Sequence, residues 1–168
     1  GELLDKNGMV NMANIDYHYR PTDDSDHFQT DIVVLSGKQD RFMPKFNYKG
    51  FQFVEVSSST PIQLSDENLI AVEMHSDVPA IGYWSSSSEL LNKIWKATNS
   101  SYLANLFGYP TDCPQREKNG WTGDAHIAIE TGLYNFDGIS IYEKWMNDFC
   151  DEQKDNGVLP CIIPTSVW

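Results

Sequence analysis

Residues 86–107 read SSSELLNKIWKATNSSYLANLF, and this stretch decides the fold because the residue pattern of the chain changes there. Ser86 and Glu89 have the spacing of a capping box, in which each side chain accepts a hydrogen bond from the other residue's free backbone N–H. A stripe of residues then recurs at helical spacing: Leu91, Ile94, Trp95, Thr98, Tyr102, Leu106 and Phe107. We therefore predict a helix from Ser87 to Phe107.

The chain before this helix has the pattern of β-structure. Short apolar or alternating runs occur at Ile32–Leu35, Phe46–Tyr48, Phe51–Val56 and Leu69–His75. In the last run Ile70, Val72 and Met74 share one face, which is typical of a half-buried strand. Turn residues separate the runs, at Asn7-Gly8, Ser36-Gly37 and Ser65–Asn68. The runs are spaced as in an antiparallel sandwich.

Two more helices are predicted after residue 107. A loop from Gly108 to Gly120 contains two prolines, which are unfavourable inside a helix. The second helix is predicted to begin near Thr122 and to continue through Leu133. The third starts after Asp137 as N-cap and ends at Gly157. One side of it carries Tyr142, Trp145, Met146, Phe149 and Cys150.

This arrangement predicts a piece of a longer protein with two domain parts. Residues 1–84 are expected to be the C-terminal part of a β domain, and residues 85–168 the N-terminal part of a helical domain. Three helices cannot close a barrel, and no terminating signal precedes Trp168. A complete small β-plus-α domain is the alternative.

Charge and composition limit the partners of the chain. The 168 residues contain 24 acidic and 12 basic side chains, and the net charge is −12. Phosphate binding requires clustered Lys and Arg, so a nucleic-acid partner is not expected. No apolar run approaches the roughly 18 residues of a membrane-spanning helix, and no secretory signal follows Gly1. The sequence therefore predicts no membrane partner.

The three cysteines, Cys113, Cys150 and Cys161, do not form a metal-binding or disulfide framework. The absence of a Cys-x-x-Cys pair argues against structural zinc. A bridge between Cys150 and Cys161 is one alternative, and two buried free thiols are the favoured one.

The loop from Tyr109 to Asp124, YPTDCPQREKNGWTGD, carries the densest chemistry in the chain. It combines three carboxylates, one guanidinium and one indole: Asp112, Glu117, Asp124, Arg116 and Trp121. Carboxylates accept hydrogen bonds from sugar hydroxyls, Arg donates them, and an indole face stacks on a pyranose. A carbohydrate site and a solvated, charged loop are both consistent with these residues.

Longer motifs in and around this loop resemble a known family. The run Asp112-Cys113-Pro114-Gln115-Arg116-Glu117, followed by Gly120-Trp121-Thr122-Gly123-Asp124, resembles the signature of the bacterial α-L-rhamnosidases. The runs at 46–56 and 157–166 are similar to the family's flanking segments. The resemblance implies an α+β fragment, in which the end of an antiparallel β-sandwich is followed by the first helices of an (α/α)6 barrel.

The resemblance also implies an activity and a set of roles. Family members hydrolyse terminal α-L-rhamnosides with inversion. The Glu of their motif serves as general acid, and Glu117 corresponds to it. Asp112, Asp124 and Arg116 correspond to residues that contact rhamnose hydroxyls, and Trp121 to a wall of the pocket. Many relatives have one more residue here and read Arg-Asp-Glu, where this chain has Arg116-Glu117. Counting back from Gly120 and Trp121 aligns Glu117 with the family's Glu, whereas the alignment of Arg116 is less secure.

The inverting mechanism needs a second carboxylate as general base. In the family this base is a Glu far downstream, so this chain alone is expected not to turn over substrate. The resemblance further implies a rhamnose-containing glycoside, oligosaccharide or polysaccharide as ligand. No cofactor and no metal are expected. The resemblance favours the periplasm or the cell exterior over the cytoplasm, and leaves the aglycone and oligomeric state open.

Two other functions are kept as alternatives. One is a non-catalytic rhamnose-binding or interaction module, and the other is a related helical-barrel glycosidase acting on a different sugar. Other residues with potential chemistry have simpler explanations as surface, turn, helix or core positions: His18, His27, His75, His126, Asp23, Asp24, Asp26, Asn99, Trp95 and Trp145. Trp168 is a candidate for a sugar subsite in an intact barrel.

Overall fold

The computed structural model describes residues 1–16 and 28–165, which fall into two compact units, Gly1–Glu73 and Met74–Trp168. The first unit contains β1 (Leu3–Leu4), β2 (Val10–Asn11) and α1 (Ala13–Asp16). The second contains α2 (Glu89–Ala104), α3 (Thr122–Asn135) and α4 (Ile139–Glu152). Within the described ranges, every helix falls short of the length and hydropathy that crossing a bilayer requires.

The first unit is organised by a short antiparallel hairpin. Leu3 pairs with Asn11 and Leu4 with Val10. The connecting turn has a positive φ at Gly8, where glycine adopts the left-handed conformation without a steric penalty. The Asp5 carboxylate accepts hydrogen bonds from two backbone N–H groups of the turn, those of Met9 and Asn7, and these bonds lower the pKa of Asp5. The predicted Asn7-Gly8 turn is confirmed.

The four segments predicted as strands do not form strands. Residues 32–35, 46–48, 51–56 and 69–75 are not joined into ladders in the structure. A strand is stable only when its N–H and C=O groups pair with a neighbouring strand, and β1 and β2 are the only paired strands in the described ranges. Apolar side chains in these segments are accordingly exposed, with 91% of Val34 and 97% of Phe46 accessible to solvent.

Helix α2 forms within the predicted range but ends at Ala104 rather than Phe107, and its first turn is built differently. The helix begins at Glu89 with Ser88 as N-cap, and the cap makes no side-chain hydrogen bond. The predicted capping box between Ser86 and Glu89 is therefore wrong. Instead, the Asn92 side chain accepts a hydrogen bond from the Ser86 N–H at 2.8 Å and donates one to the Ser86 carbonyl at 2.9 Å. The amide of Asn92 can satisfy two backbone groups at once, which explains why it replaces the box.

The predicted helices α3 and α4 are confirmed, with corrections to both ends of α4. Helix α4 stops at Glu152, and Gly157 lies in a separate turn, where its N–H donates to the Lys154 carbonyl at 2.7 Å. Gly157 has the left-handed φ that the sequence predicts. The N-cap of α4 is Gly138 rather than Asp137, whose N–H donates to the Pro79 carbonyl.

Two aromatic clusters form the core of the second unit. In one, Tyr102 of α2 stacks on Phe136, with ring centroids 5.6 Å apart. In the other, Trp145 of α4 is 3% exposed and donates its indole N–H to the Ile163 carbonyl at 2.7 Å. The hydroxyls of Tyr102 and Tyr142 hydrogen-bond at 3.0 Å and join the clusters. Burial raises the pKa of both phenols.

The stripe on α2 is only partly buried. Tyr102 is in the core, as predicted, but Leu91 and Ile94 are about half exposed. Trp95 is also not a core residue: its ring is partly exposed, and its indole N–H donates to the Asn135 Oδ1 at 3.0 Å. The hydrophobic pattern thus located the helix correctly but overestimated the extent of its buried face.

Candidate active site

The loop between α2 and α3 is anchored at its first end by Thr111. The Thr111 N–H donates to the Asn105 carbonyl at 2.7 Å, and its hydroxyl donates to the same carbonyl at 3.2 Å. Thr111 is buried, and Leu106 bridges to Pro110 across the turn at Gly108. Residue 112 therefore starts from a fixed position next to the C-terminus of α2.

The second end of the loop is anchored by the segment after α4. The Ile163 N–H donates to the Gly120 carbonyl at 2.9 Å, and the Thr122 N–H donates to the Cys161 carbonyl at 3.0 Å. Trp121 lies between these two bonds and is the N-cap of α3. Gly120 packs so closely that a Cβ atom there would lie 2.0 Å from the Ile163 carbonyl oxygen.

Asp112 is held by both of its carboxylate oxygens. Its Oδ1 accepts a hydrogen bond from the Asn119 N–H at 2.9 Å, and its Oδ2 accepts one from the Cys113 thiol at 3.0 Å. The Asp112 N–H donates in turn to the Asn119 carbonyl at 3.0 Å. Lys118 has a positive φ of 55°, which closes the loop so that Asn119 faces Asp112.

Glu117 projects toward solvent from the same loop and is positioned by two neighbours. The Trp121 indole N–H donates to the Glu117 Oε2 at 3.1 Å. An Arg116 guanidinium nitrogen lies 3.9 Å from the Glu117 Oε1, with the two side chains 33% and 40% exposed respectively. The carboxyl group is thus open to a ligand and fixed in direction by the indole.

Arg116 has further contacts inside the loop. A hydrogen bond to the Cys113 sulfur, together with the nearby charges of Glu117 and Asp112, raises the pKa of the guanidinium. Its Nε is buried without a hydrogen-bond partner in the described part of the chain. This nitrogen is a donor that remains available inside the loop.

The structure joins four of the five predicted site residues through direct contacts or one shared neighbour: Asp112, Arg116, Glu117 and Trp121. Asp124 lies in the first turn of α3 and is exposed, and it shares no hydrogen bond or ion pair with the other four. Its position suits a negative charge because the positive end of the helix dipole lies there.

Two residues of the site, Cys113 and Asn119, have no role in the sequence-based prediction. Cys113 contacts Asp112, Arg116 and the backbone of Glu117, and Asn119 pairs with Asp112. The one available signal was the presence of a cysteine in a charged loop, where a solvated connector would favour a polar residue. All three thiols are free, and Cys150 and Cys161 are exposed rather than buried.

Other candidate residues do not add to the site. His126 is exposed on α3, the His75 ring bonds the Ser76 carbonyl, and Asn99 lies inside α2. Throughout residues 1–16 and 28–165, no three His, Cys, Asp or Glu side chains come together as a metal site. Several earlier candidates lie outside the described residues: His18, His27, Asp23, Asp24, Asp26 and Trp168.

Comparisons with known proteins identify both parts of the chain. Residues 79–168 match the family described as the bacterial alpha-L-rhamnosidase 6 hairpin glycosidase domain. Residues 1–75 match the bacterial alpha-L-rhamnosidase concanavalin-like domain. The predicted boundary between residues 84 and 85 stays a prediction.

Individual relatives agree with these matches. An alpha-L-rhamnosidase of Formosa agariphila is 33% identical over 97% of this chain and 17% of its own length. The structure of a Streptomyces avermitilis alpha-L-rhamnosidase complexed with L-rhamnose matches 99% of this chain and 15% of its own, with a TM-score of 0.81 and 25% identity. An alpha-L-rhamnosidase from Dictyoglumus thermophilum is 46% identical over 54% of this chain and 10% of its own, with a TM-score of 0.53.

The chain spans less than one-fifth of the length of these relatives. The predicted fold class, the end of a β-sandwich followed by the first helices of a six-hairpin barrel, is confirmed by the two domain matches and the structural match. The chain belongs to the bacterial alpha-L-rhamnosidase family.

Proposed function

We propose that this chain is part of a glycoside hydrolase that cleaves terminal α-L-rhamnosides with inversion, and that Glu117 is its general acid. The observation that carries the proposal is the Glu117 carboxyl group, open to a ligand and oriented by the Trp121 indole N–H at 3.1 Å. A general acid must be held within hydrogen-bond reach of the leaving oxygen, and an oriented, accessible carboxyl group meets this requirement.

The remaining site residues fit the binding of a deoxyhexose. Asp112 accepts hydrogen bonds on both oxygens from within the loop, so its orientation is fixed, and each oxygen keeps a lone pair that can accept a hydrogen bond from a sugar hydroxyl. Arg116 offers a buried Nε without a partner as a donor. Trp121 supplies an aromatic wall, and Asp124 is available as an acceptor on the first turn of α3. These roles follow those of the matching family residues.

The general base is proposed to lie outside this chain. An inverting enzyme places its two carboxyl groups about 6.5–9.5 Å apart to leave room for a water molecule. The candidates on α3 and α4 have the surroundings of ordinary helix-surface carboxylates: Glu130, Glu143 and Asp151 are exposed, Asp148 pairs with Lys144, and Glu152 accepts a hydrogen bond from the Thr165 N–H. We therefore expect the chain alone to be inactive and the full-length enzyme to be active.

The stereochemistry of the first product tests this function. The full-length enzyme should hydrolyse p-nitrophenyl α-L-rhamnoside, and proton NMR during the first minutes should detect β-L-rhamnose before mutarotation. The residues 1–168 alone, assayed in parallel, should release no product. Binding of L-rhamnose without turnover by the full-length protein would favour the rhamnose-binding module, and turnover of another glycoside only would favour the related glycosidase.

Trp121→Phe separates the two roles of the indole. Phenylalanine keeps an aromatic wall but cannot donate to Glu117, so kcat on alkyl rhamnosides should fall about tenfold while KM changes little. Steady-state kinetics of the full-length enzyme provide the measurement. Trp95→Phe is the matched control, because it also removes one indole hydrogen bond, to Asn135, away from the loop. Equal effects of the two substitutions would remove the positioning role of Trp121.

A further inference from the structure

Cys113 lies at the centre of the candidate active site and has no role in the proposed chemistry. Its side chain is 8% exposed, whereas Cys150 and Cys161 are open to solvent. The Cys113 thiol donates to the Asp112 Oδ2 at 3.0 Å, and its sulfur accepts the Glu117 N–H at 3.3 Å. The Arg116 guanidinium also hydrogen-bonds to this sulfur.

These contacts make one atom the shared neighbour of three proposed site residues. The sulfur contacts the backbone of Glu117 and the side chains of Asp112 and Arg116. These residues lie close together in the loop, at positions 112–117. Two further hydrogen bonds, both between Asp112 and Asn119, close the same loop. Without the sulfur, the Glu117 N–H would lose its hydrogen-bond acceptor, and the Asp112 Oδ2 would lose the hydrogen bond from the thiol.

We propose that Cys113 is a positioning residue, which holds the backbone of Glu117 next to Asp112 and Arg116 and so keeps the Glu117 carboxyl group within reach of the Trp121 indole. This inference rests on the proposed function of Glu117. Sulfur suits the role because it forms longer hydrogen bonds than oxygen, so one atom reaches partners on three sides of a crowded loop. A serine hydroxyl offers the same donor and acceptor roles over a shorter reach.

The leaving-group dependence of hydrolysis tests the inference in the full-length enzyme. With Cys113→Ala, kcat on methyl α-L-rhamnoside should fall about 10- to 100-fold, because a misplaced acid protonates the leaving oxygen poorly. The loss on p-nitrophenyl α-L-rhamnoside should be several-fold smaller, since that leaving group needs little proton transfer. Cys113→Ser should recover part of the activity. A general loss of folded enzyme would lower both rates by the same factor.

The exposed Cys150 provides a matched control, and NMR provides a readout independent of activity. Cys150→Ala should leave both rates unchanged. In residues 1–168, the indole N–H resonance of Trp121, assigned by its loss in Trp121→Phe, should shift in Cys113→Ala and remain in place in Cys150→Ala. The resonance reports the bond to Glu117 directly.

The two readouts separate the inference from the proposed function. A shifted resonance in residues 1–168, together with a full-length protein that cleaves no rhamnoside, would support positioning by Cys113 and overturn the proposed function. An active enzyme in which Cys113→Ala keeps the wild-type ratio of the two rates, or an unshifted resonance, would overturn the positioning role.

Discussion

Glu117→Gln in the full-length enzyme is expected to slow the hydrolysis of methyl α-L-rhamnoside by about 10²- to 10⁴-fold, the usual contribution of a general acid. Glutamine has nearly the same shape, and its carbonyl oxygen can still accept the Trp121 indole N–H. It cannot transfer a proton, however, so an alkoxide leaving group would depart unassisted. The p-nitrophenyl rhamnoside should lose far less, since nitrophenolate leaves readily without a proton.

The experiment compares kcat/KM for the two substrates in the wild-type enzyme and the variant. Glu143→Gln, at an exposed position on α4, makes the same chemical change away from the loop and should leave both values unchanged. Equal and mild losses on both substrates would remove Glu117 from the role of acid. A fall in kcat/KM that is much larger for the methyl rhamnoside than for the p-nitrophenyl rhamnoside would identify Glu117 as the proton donor.

Gly120→Ala is expected to destabilise the second unit by about 1–3 kcal/mol, as overpacking of a rigid site does. The added methyl group would lie 2.0 Å from the Ile163 carbonyl oxygen and 3.0 Å from its carbon. These are backbone atoms, so neither can rotate out of the way. The pairing between residues 120–122 and 161–163 must open, and Trp121 then loses the support that orients it toward Glu117.

Urea unfolding of residues 1–168, followed by far-ultraviolet circular dichroism, measures the effect. Gly123→Ala is the matched control, because a Cβ there meets no atom within 4 Å and the residue lies in the first turn of α3. Alanine favours a helix over glycine, so this variant should be as stable as the parent or up to about 1 kcal/mol more stable. Equal midpoints for the two variants would show that Gly120 is not tightly packed.

The helices could be predicted from the sequence because the signals that form them are local. The stripe on α2 and the apolar face of α4 lie within single segments, and both helices form there. The strand predictions failed for the opposite reason: residues 69–75 alternate as a strand should, but a strand needs a partner whose position no local pattern specifies. The capping box failed because a competing side chain, Asn92, lies one turn further along.

The candidate site was predictable as a set of residue types rather than as a geometry. The motif from Asp112 to Asp124 identified the residues, and the resemblance to a family suggested their roles. The contact between Glu117 and Trp121 depends on the loop conformation, which Lys118 and Asn119 help to set. The participation of Cys113 could not be inferred, since a thiol in a sequence does not reveal which groups surround it.

The pairing of Gly120 with Ile163 has a consequence for biosynthesis. A nascent chain emerges from the ribosome starting at its N-terminus, and domains begin to fold in that order. The acidic loop is therefore translated well before the segment that clamps it, and its final shape has to wait until helix α4 and the following turn have been made. A polypeptide truncated just after α4 should keep its helices and yet lack an ordered acidic loop.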